Sequence, residues 1–350
     1  MNSGMRRLHF TALLGLTICM MVGLILYNSF HPADEQARHA SQAPSAHKMM
    51  DNYRHQMAAR YATLTTDEAD RSVLAAMTLG EKKGVSRELR RIYAVTGAAH
   101  VLALSGLHLS IIYMLLMRLT LNRQRSILVQ TLILSMVWGY TLLTGLATST
   151  VRSAIMLTVY SLLSLGGRRG QPLNVLALTA LILMLADRTV VYDIGFQLSF
   201  AAVLSIIFIT SVVDELVDKS WMMAHPLVKW MWDLMVVSVA AQIGVAPLLA
   251  YHFGTFSPYF LLTNLIAIPS VTVILYLALI FWVTPFDVVG ELLVGVVHIL
   301  NKVLALLAQI PYSVIDNLHP SVVQTILIYV GFGCWYAAVL KLLQKSQNIV

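Results

Sequence analysis

Residues 259–283 read YFLLTNLIAIPSVTVILYLALIFWV, a run without a single charged side chain. A helix needs about 20 consecutive apolar residues to cross the hydrocarbon core of a bilayer, so this run predicts a transmembrane helix. Hydrophobic residues make up 58% of the chain and charged residues only 12%, whereas soluble domains carry roughly 25% charged residues. The composition therefore excludes an ordinary soluble domain and indicates an all-α, polytopic transmembrane helix bundle.

Other apolar runs flank this one on both sides, separated by short polar breaks. The first of them, residues 10–27, follows Arg6 and Arg7 and has no obvious signal-peptidase site after it, so we expect an uncleaved anchor. Together the runs predict about ten spans. The remaining predicted spans are 94–117, 126–144, 150–166, 173–187, 194–213, 233–251, 288–308 and 321–340.

Basic residues of the short inter-span segments fall on one side of the bilayer when the N-terminus is placed in the cytoplasm, and the short outer loops hold only Arg188. Cytoplasmic loops are enriched in Lys and Arg, so we predict both termini in the cytoplasm and a multi-pass protein of the inner (plasma) membrane, surrounded by lipid. The same bias accounts for most of the formal net charge of +7. The inner basic residues are Arg6, Arg7, Arg118, Arg123, Arg125, Arg168, Arg169, Lys219, Lys229, Lys341 and Lys345.

A polar stretch, residues 31–91, separates the first span from the others and is poor in β-branched residues. We expect a short helical segment on the periplasmic side. One helix there ends at Gly80, and a second begins at Ser86, a good N-cap residue, with Glu88 in the first turn where the helix dipole favours an acid. The predicted regions are an N-terminal transmembrane anchor at 1–30, the periplasmic segment at 31–91, a transmembrane domain at 92–341 and a cytoplasmic tail at 342–350.

Span 94–117 contains a cluster of polar residues, His100, Ser105, Gly106 and His108. A polar group in a span is costly in lipid, so it usually faces a protein interior or a water-filled path. Ser105 and His108 would share a helical face, and the Ser-Gly pair can break the helix and free backbone groups to line a cavity. The alternative is that the histidines lie near the outer interface and bond to neighbouring residues.

A second group of polar residues comprises Ser149 and Arg152 near the outer end of one span, and Asp193, Gln197 and Ser199 near the outer end of another. Arg152 either lines a polar path or extends its side chain to water. Asp193 and Gln197 share a helical face. Because Arg152 and Asp193 are predicted at similar depth on the same side, we hypothesise that they form an ion pair across helices.

Two later spans combine an amide with a proline, namely Gln242 with Pro247 and Asn264 with Pro269. A proline inside a helix frees a carbonyl and kinks the helix, and a nearby amide can satisfy the exposed backbone. Such broken helices often flank binding sites in transporters. Plain kinks that improve packing are the alternative.

Span 288–308 contains three ionisable residues, Glu291, His298 and Lys302, spaced to form a polar stripe along one helix. Three such groups are costly in lipid, so we expect the stripe to face a wet or well-paired part of the bundle interior. Taken together, the polar clusters predict a hydrophilic passage through the bilayer.

These segments resemble, in order and approximate spacing over residues 70–340, the membrane ("competence") domain of the ComEC/Rec2 family. The sharpest match is His100-Val-Leu-Ala-Leu-Ser-Gly-Leu-His108, which looks like the family signature H-[LV]-L-A-[IL]-S-G-L-H. The other matching segments are Leu74–Gly80, Ser86–Leu89, Ser149–Arg152, Asp193–Phe200, Gln242–Pro247 and Asn264–Pro269.

The resemblance implies a channel that carries single-stranded DNA into the cytoplasm during natural transformation, with the polar clusters along the DNA path. Full-length family members resemble fusions with an OB-like and a metallo-β-lactamase-like domain. Residues 31–91 are too short and strand-poor for the first, and the chain has no H-x-H-x-D-H motif. We therefore expect no catalytic residue, metal or cofactor, and separate DNA receptor, nuclease and motor proteins; the oligomeric state is open.

Two other functions stay open at this stage. A transporter of another solute or ion would use the same polar path, and the stripe of Glu291, His298 and Lys302 would suit proton coupling. An intramembrane hydrolase would use Ser105 as nucleophile and His108 as base, although two such residues on one helix rarely reach attack geometry.

Overall fold

Helices form nearly all the regular structure of this protein in its computed structural model. The described residues are 45–120, 126–165, 172–217, 219–284 and 286–347. Within these ranges the strand-type pairing is confined to one antiparallel bridge between Phe256 and Ile315, which confirms the all-α prediction. The predicted N-terminal anchor at 1–30 lies outside the described residues.

The helices follow the predicted apolar runs closely, and a 3-10 turn at Val190–Tyr192 precedes α9. In chain order the α-helices are α1 (Ser45–Leu64), α2 (Glu68–Leu79), α3 (Arg87–Val95), α4 (Ala99–Leu102), α5 (Gly106–Leu119), α6 (Ile127–Leu143), α7 (Thr148–Leu165), α8 (Pro172–Ala186), α9 (Ile194–Leu216), α10 (Lys219–Ala224), α11 (Pro226–Phe253), α12 (Phe260–Val283), α13 (Asp287–Ala308) and α14 (Val322–Gln347).

The prediction of one continuous span over 94–117 is wrong, because the chain breaks twice within it. Gly97 adopts φ 83°, a left-handed conformation that commonly ends a helix. After the short α4, Ala103 and Ser105 are both extended, with ψ 136° and φ −133° respectively, and α5 begins only at Gly106. A broken helix with non-helical backbone therefore stands where a single crossing helix was expected.

Five of the described helices are long and apolar enough to cross a membrane, namely α9, α11, α12, α13 and α14, and α5, α6 and α8 are shorter apolar helices. The chain is a membrane protein. The total of about ten spans and the cytoplasmic placement of both termini stay predictions. Since α14 continues to Gln347, the predicted tail at 342–350 begins inside a helix.

Both predicted helix ends in the periplasmic segment are confirmed. Gly80, with φ 76°, caps the C-terminus of α2, a position where a left-handed residue lets the last carbonyls find partners. Ser86 caps α3, its Oγ accepting a hydrogen bond from the Leu89 N–H at 3.1 Å, and Glu88 lies in the first turn. Local capping rules therefore apply to this segment even though it is part of a membrane protein.

The predicted periplasmic segment 31–91 is nevertheless not separate from the helix bundle. Leu74 and Met77 of α2 are fully buried, and they belong to the same apolar core cluster as Ile274 of α12 and Leu293 of α13. Burial of each such side chain contributes about 1.5–3 kcal/mol. The boundary predicted at residue 91 therefore does not divide two packing units.

A tyrosine attaches α1 to this core. The Trp282 Nε1–H donates to Tyr61 Oη at 2.8 Å, and the Thr78 hydroxyl donates to the Leu74 carbonyl at 2.7 Å. Since the Thr78 hydrogen is thus used, the Tyr61 hydroxyl donates to Thr78 Oγ1, 3.0 Å away. Burial raises the pKa of Tyr61 to about 12, so the hydroxyl keeps the hydrogen that this bond needs.

A buried polar network joins α2 and α3 to α13. Asp70 is 3% exposed, and its carboxylate accepts from His298 Nδ1 at 2.7 Å and from Asn301 Nδ2 at 2.8 Å. The amide oxygen of Asn301 in turn accepts from the Tyr93 hydroxyl at 2.7 Å. We call Asp70, His298, Asn301 and Tyr93 the α2–α13 network; its buried carboxylate is fully bonded.

The expectation that Glu291, His298 and Lys302 face the interior together is wrong. Glu291 and Lys302 are exposed, and only His298 turns inward, to Asp70. The reason is that α13 buries a different, apolar face against α2 and α12. That face comprises Leu293, Val297, Leu300, Leu304 and Leu307.

Helices α9 and α11 approach each other at the level of their backbones. A Cβ atom added at Gly244 would lie 2.5 Å from the Ala201 carbonyl oxygen, so only glycine fits there. Close by, the Ser205 hydroxyl donates to the Ala240 carbonyl at 2.7 Å. Small residues at a helix crossing permit this approach in membrane proteins, where packing and interhelical hydrogen bonds hold helices together.

Candidate functional site

The break between α4 and α5 brings Ser105 and His108 into direct contact. Ser105 is the N-cap of α5; its Oγ lies 3.0 Å from His108 Nδ1, and its N–H donates to the same nitrogen at 3.3 Å. The two residues were predicted to share a helical face, and the break allows their side chains to bond to each other. With Nδ1 accepting, the hydrogen of the neutral ring lies on Nε2.

Helix α7 packs against this break through two serines. The Ser149 hydroxyl donates to the Leu104 carbonyl at 2.6 Å, which satisfies a backbone group in the non-helical stretch. A Cβ atom at Gly106 would lie only 2.6 Å from Ser153 Oγ. The start of α5 therefore needs a glycine, and Ser149 and Gly106 together fix α5 against α7.

The predicted ion pair between Arg152 and Asp193 is confirmed. Arg152 is 5% exposed; its Nη1 donates to Asp193 Oδ1 at 3.0 Å and its Nη2 to Ser199 Oγ at 3.3 Å. The alternative, an arginine that extends to water, is thereby excluded. Asp193 also caps α9, since its Oδ1 accepts from the Phe196 N–H at 2.6 Å.

A glycine that the sequence analysis did not single out shapes this pair. A Cβ atom at Gly195 would lie 2.8 Å from Arg152 Nη2 and 2.9 Å from Asp193 Oδ1. The Ser199 hydroxyl donates to the Gly195 carbonyl at 2.6 Å, which leaves the Ser199 oxygen free to accept from the guanidinium. The sequence could have pointed to Gly195, because it lies between Asp193 and Gln197, two residues already selected for their polarity.

Gln197 extends the polar contacts from α9 to α11. Its Nε2 donates to the Val191 carbonyl at 3.2 Å, and its Oε1 lies 3.1 Å from His252 Nε2. An amide oxygen only accepts, so His252 carries the hydrogen on Nε2. Sequence reasoning missed His252 because α11 runs past the predicted span 233–251.

Two prolines lie inside the helices of the predicted amide–proline pairs, and the kinks expected there stay a prediction. Both α11 and α12 continue through Pro247 and Pro269. The side chain that bonds to the backbone near Pro247 is not Gln242, which is half-buried, but Tyr329 of α14, whose hydroxyl donates to the Gly244 carbonyl at 2.7 Å. This bond attaches α14 to α11 close to Pro247.

His100 and Asn264 lie where α4 meets the start of α12. A Cβ atom at Gly97 would lie 3.4 Å from Phe260 Cα, and His100 Nδ1 is 3.0 Å from the Gly97 carbonyl. His100 is exposed. Asn264, one helical turn beyond Phe260, is 9% exposed.

Several buried polar atoms of these helices have no hydrogen-bond partner among the described residues. They are His108 Nε2, Arg152 Nε, Asn264 Oδ1, Ser238 Oγ and Thr263 Oγ1. A buried polar group left without a partner costs about 1–3 kcal/mol. Such groups require a water molecule or a polar atom of a ligand in the native membrane protein.

Most of the predicted residues lie in three contact groups that share the helices α5, α7 and α9, with His252 of α11 bonded to the last group, and we call these groups together the polar strip. The strip comprises Ser105, Gly106, His108, Ser149, Arg152, Asp193, Gln197 and Ser199. His100, Gln242 and Asn264 lie on neighbouring helices without a bond to it. Glu291, His298 and Lys302 lie outside it, on α13.

One group of described side chains has the spacing of a cation site. Ligand atoms of Asp67, Asp70 and His298 lie within 4.8 Å of one another. They are already engaged, however: Asp67 Oδ1 accepts from the Ala69 N–H at 2.8 Å, and Asp70 bonds to His298 and Asn301. A cation would have to displace these bonds, so we assign the group to folding.

Comparison with protein families decides where this chain belongs. A family model described as "Competence protein" matches residues 77–342, a range that contains the whole polar strip. The chain belongs to the competence protein family. Similarity to this family was expected from the sequence segments around His100–His108 and Asp193–Phe200, and both segments lie inside the matched range.

Three curated proteins are similar to this competence-family chain. ComE operon protein 3 of Bacillus subtilis (strain 168) is 30% identical over 227 residues, which cover 64% of this chain and 26% of that protein. An uncharacterised protein, YcaI, of Escherichia coli (strain K12) is 28% identical over 221 residues, covering 58% of this chain and 28% of that protein.

The third, an uncharacterised protein of Aquifex aeolicus (strain VF5), is 24% identical over 287 residues, covering 81% of this chain and 65% of that protein. The matched part thus spans little more than a quarter of the length of the first two relatives. No solved structure matches.

Proposed function

We propose that this protein forms an inner-membrane channel that translocates single-stranded DNA into the cytoplasm during natural transformation. Membership of the competence family and the similarity to ComE operon protein 3 support this function. The observation that carries it is the polar strip, in which His108 Nε2 and Arg152 Nε are buried and have no protein partner among the described residues.

The charge of the strip suits passage more than retention. A conduit must bind its cargo strongly enough to admit it and weakly enough to release it. The buried charge of Arg152 is matched by Asp193 at 3.0 Å, so a phosphate meets a largely neutralised guanidinium with Nε still able to donate. His108 and Asn264 add one donor and one acceptor that can meet bases or sugar oxygens.

The helix break at 103–105 gives this strip its access point. Non-helical backbone at membrane depth is tolerated only where it is buried in protein or lines a water-filled cavity. Here the Leu104 carbonyl is bonded to Ser149, so the break lies against α7. In the proposed channel, the strand enters beside this break.

In this role the protein is a multi-pass protein of the inner membrane that works with a separate DNA receptor, a nuclease that supplies the single strand, and a cytoplasmic motor protein. We assign no catalytic residue. The Ser105 hydroxyl does contact His108, but Nδ1 of that ring also accepts from the Ser105 N–H, a helix cap, and no carboxylate bonds to the ring in the part of the chain described.

The test follows labelled DNA in a transformable host that lacks this gene. We expect labelled DNA to reach the periplasm at the normal level and to fail to reach the cytoplasm, and complementation with the full chain to restore entry. Normal cytoplasmic entry in the deletion strain would contradict the proposal. Unchanged transformation together with altered accumulation of a small solute would favour the alternative, a transporter of another solute or ion.

Variants then test the strip itself. His108→Ala should reduce cytoplasmic entry at normal membrane levels, because it removes a buried donor that has no partner among the described residues. Gly139→Ala is a matched control: it lies in α6, and a Cβ atom there would meet nothing within 4 Å. Equal entry in His108→Ala and in the control would show that the strip is not the path.

A further inference from the structure

A basic cleft lies beside the helix break, outside the strip. It encloses about 270 Å³. Leu104 and Ser149 form part of its floor, so it adjoins the access point of the strip, and Arg54, Lys82 and Lys83 line its walls. The cleft thus combines residues of α1, the turn between α2 and α3, and the α4–α5 break.

Two glycines with left-handed backbone shape this cleft. Gly80 has φ 76°, and a Cβ atom there would lie 2.6 Å from Leu104 Cδ1. Gly145 has φ 79°, and a Cβ atom there would lie 2.5 Å from Arg54 Nη1. Both positions therefore need glycine for conformation and for space, and both bring cleft walls into close approach with the transmembrane helices.

The two lysines stand on a fixed turn. The Lys82 carbonyl accepts from Arg90 Nη2 at 2.8 Å and from the Val85 N–H at 3.2 Å. The side chains of Lys82 and Lys83 are exposed. These bonds fix the backbone of the turn from which the two lysine side chains extend beside the cleft.

The charge of the cleft is positive. One carboxylate, Glu81, faces the cations Arg54, Lys82 and Lys83, and its Oε1 lies 3.8 Å from His55 Nε2. An anion with several oxygens, such as a phosphate diester, is the ligand chemistry that this charge balance favours.

Resting on the proposed function, we infer that this cleft binds phosphate groups of the incoming single strand and holds the strand at the helix break. The cleft attracts the backbone without reading bases, and Lys82 and Lys83 each neutralise one phosphate. The cleft, and not the strip, supplies the attraction for phosphate, because the charge of Arg152 is already paired with Asp193.

The experiment measures binding of a labelled 20-nucleotide single strand to the purified full chain in detergent, as a function of salt. In the variant Lys82→Gln/Lys83→Gln we expect affinity at 0.15 M salt to fall about tenfold and the slope of log K against log salt to become less steep by roughly 1.4, since each phosphate contact on single strands contributes about 0.7.

The matched control is Arg87→Gln/Arg91→Gln, which removes the same charge from exposed positions of the adjacent α3. It should leave the slope unchanged. Equal changes in the two double variants would mean that only net charge matters, and no change in either would mean that the strand does not touch the lysines; both results overturn the inference.

Inorganic phosphate serves as a competitor that separates a strand from a free anion as ligand. Millimolar phosphate should displace the strand only weakly, because it occupies one contact of several. If the lysine variant loses phosphate binding and keeps full DNA affinity, the cleft is a free-anion site and the inference fails. If DNA entry requires the gene but is normal in the lysine variant, the proposed role of the cleft is wrong and the proposed channel function is unaffected.

Discussion

The α2–α13 network and the polar strip are both buried and polar, yet they differ in how completely their atoms are bonded. In the first, both oxygens of Asp70 and the amide of Asn301 have partners at 2.7–2.8 Å. In the second, His108 Nε2 and Arg152 Nε have none among the described residues. Full bonding is typical of a structural element, whereas open donors are typical of a surface that exchanges ligands.

This difference predicts which substitutions should lower the stability of the protein and which should affect the proposed transport. Removing one member of a fully bonded buried pair leaves an uncompensated charge or dipole, which is costly. Removing a residue whose donor is already unbonded costs less folding energy. Substitutions in the α2–α13 network should therefore act through the amount of folded protein, and substitution of His108 in the strip should act on DNA entry at normal protein levels.

The largest effect is expected for Asp70→Ala. It leaves His298 and Asn301 without their acceptor inside the core, and we expect the apparent free energy of unfolding in detergent to fall by about 3 kcal/mol, measured by tryptophan fluorescence. Asp233→Ala is the comparison, because that carboxylate pairs with Lys229 on an exposed surface, where a pair contributes about 0.3–0.5 kcal/mol. Similar losses in both would erase the distinction between the two regions.

Exchange of charges between Arg152 and Asp193 should have the next largest effect. Either reversal alone places two like charges in contact and should cost about 2 kcal/mol or more. The double exchange should recover part of this loss, and not all of it, because Asp193 also caps α9. A double-mutant cycle on unfolding measures the coupling, and a double variant no better than the singles would contradict the pairing.

A smaller effect is expected for Gly195→Ala, which pushes a methyl group against both partners of the ion pair. We expect a loss of about 1–2 kcal/mol, in the range for overpacking, together with reduced DNA entry. Gly139→Ala, with open space around it, should be neutral or stabilise α6 by about 0.5–1 kcal/mol. Changes of opposite sign in the free energy of unfolding of the two variants would support the steric argument. Equal losses would refute it.

The smallest effect on stability is expected for His252→Ala. It removes one hydrogen bond to Gln197, at 3.1 Å, from a half-buried ring, so about 0.5–1 kcal/mol should be lost. Thermal unfolding of the purified variant checks this value. A loss as large as that of Asp70→Ala would place the end of the strip among the structural elements instead.

Much of this fold could be predicted from local patterns. Apolar runs such as 259–283 predict the ends of helices to within a few residues. The caps at Gly80 and Ser86 follow from the residue types that favour helix ends. The Arg152–Asp193 pair could also be predicted, since a topology places two opposite charges at one depth. Each of these features follows from the sequence of individual helices and from the side of the membrane on which their ends lie.

The remaining features depend on packing between distant segments. Glu291, His298 and Lys302 are spaced as a stripe, but the apolar face of α13 decides which of them turns inward, and Asp70, His298's partner, lies far away in the sequence. His252 and Gly195 matter through contacts that no periodicity reports. The break between α4 and α5 overrode the apolar run at 94–117, because Gly97 and Ser105 act locally against helix continuity.

The backbone-level contact at Gly244 has a mechanical consequence for transport. Because α9 and α11 touch without intervening side chains at Gly244, no change of side-chain rotamer can move them apart. We therefore expect the two helices to move as one unit. In the proposed channel, any widening for a DNA strand would then fall to other contacts, such as those of α4, a single short turn. Glycine thus has two effects on this fold. It permits the close contact of α9 and α11 at Gly244, and it interrupts the helix at Gly97.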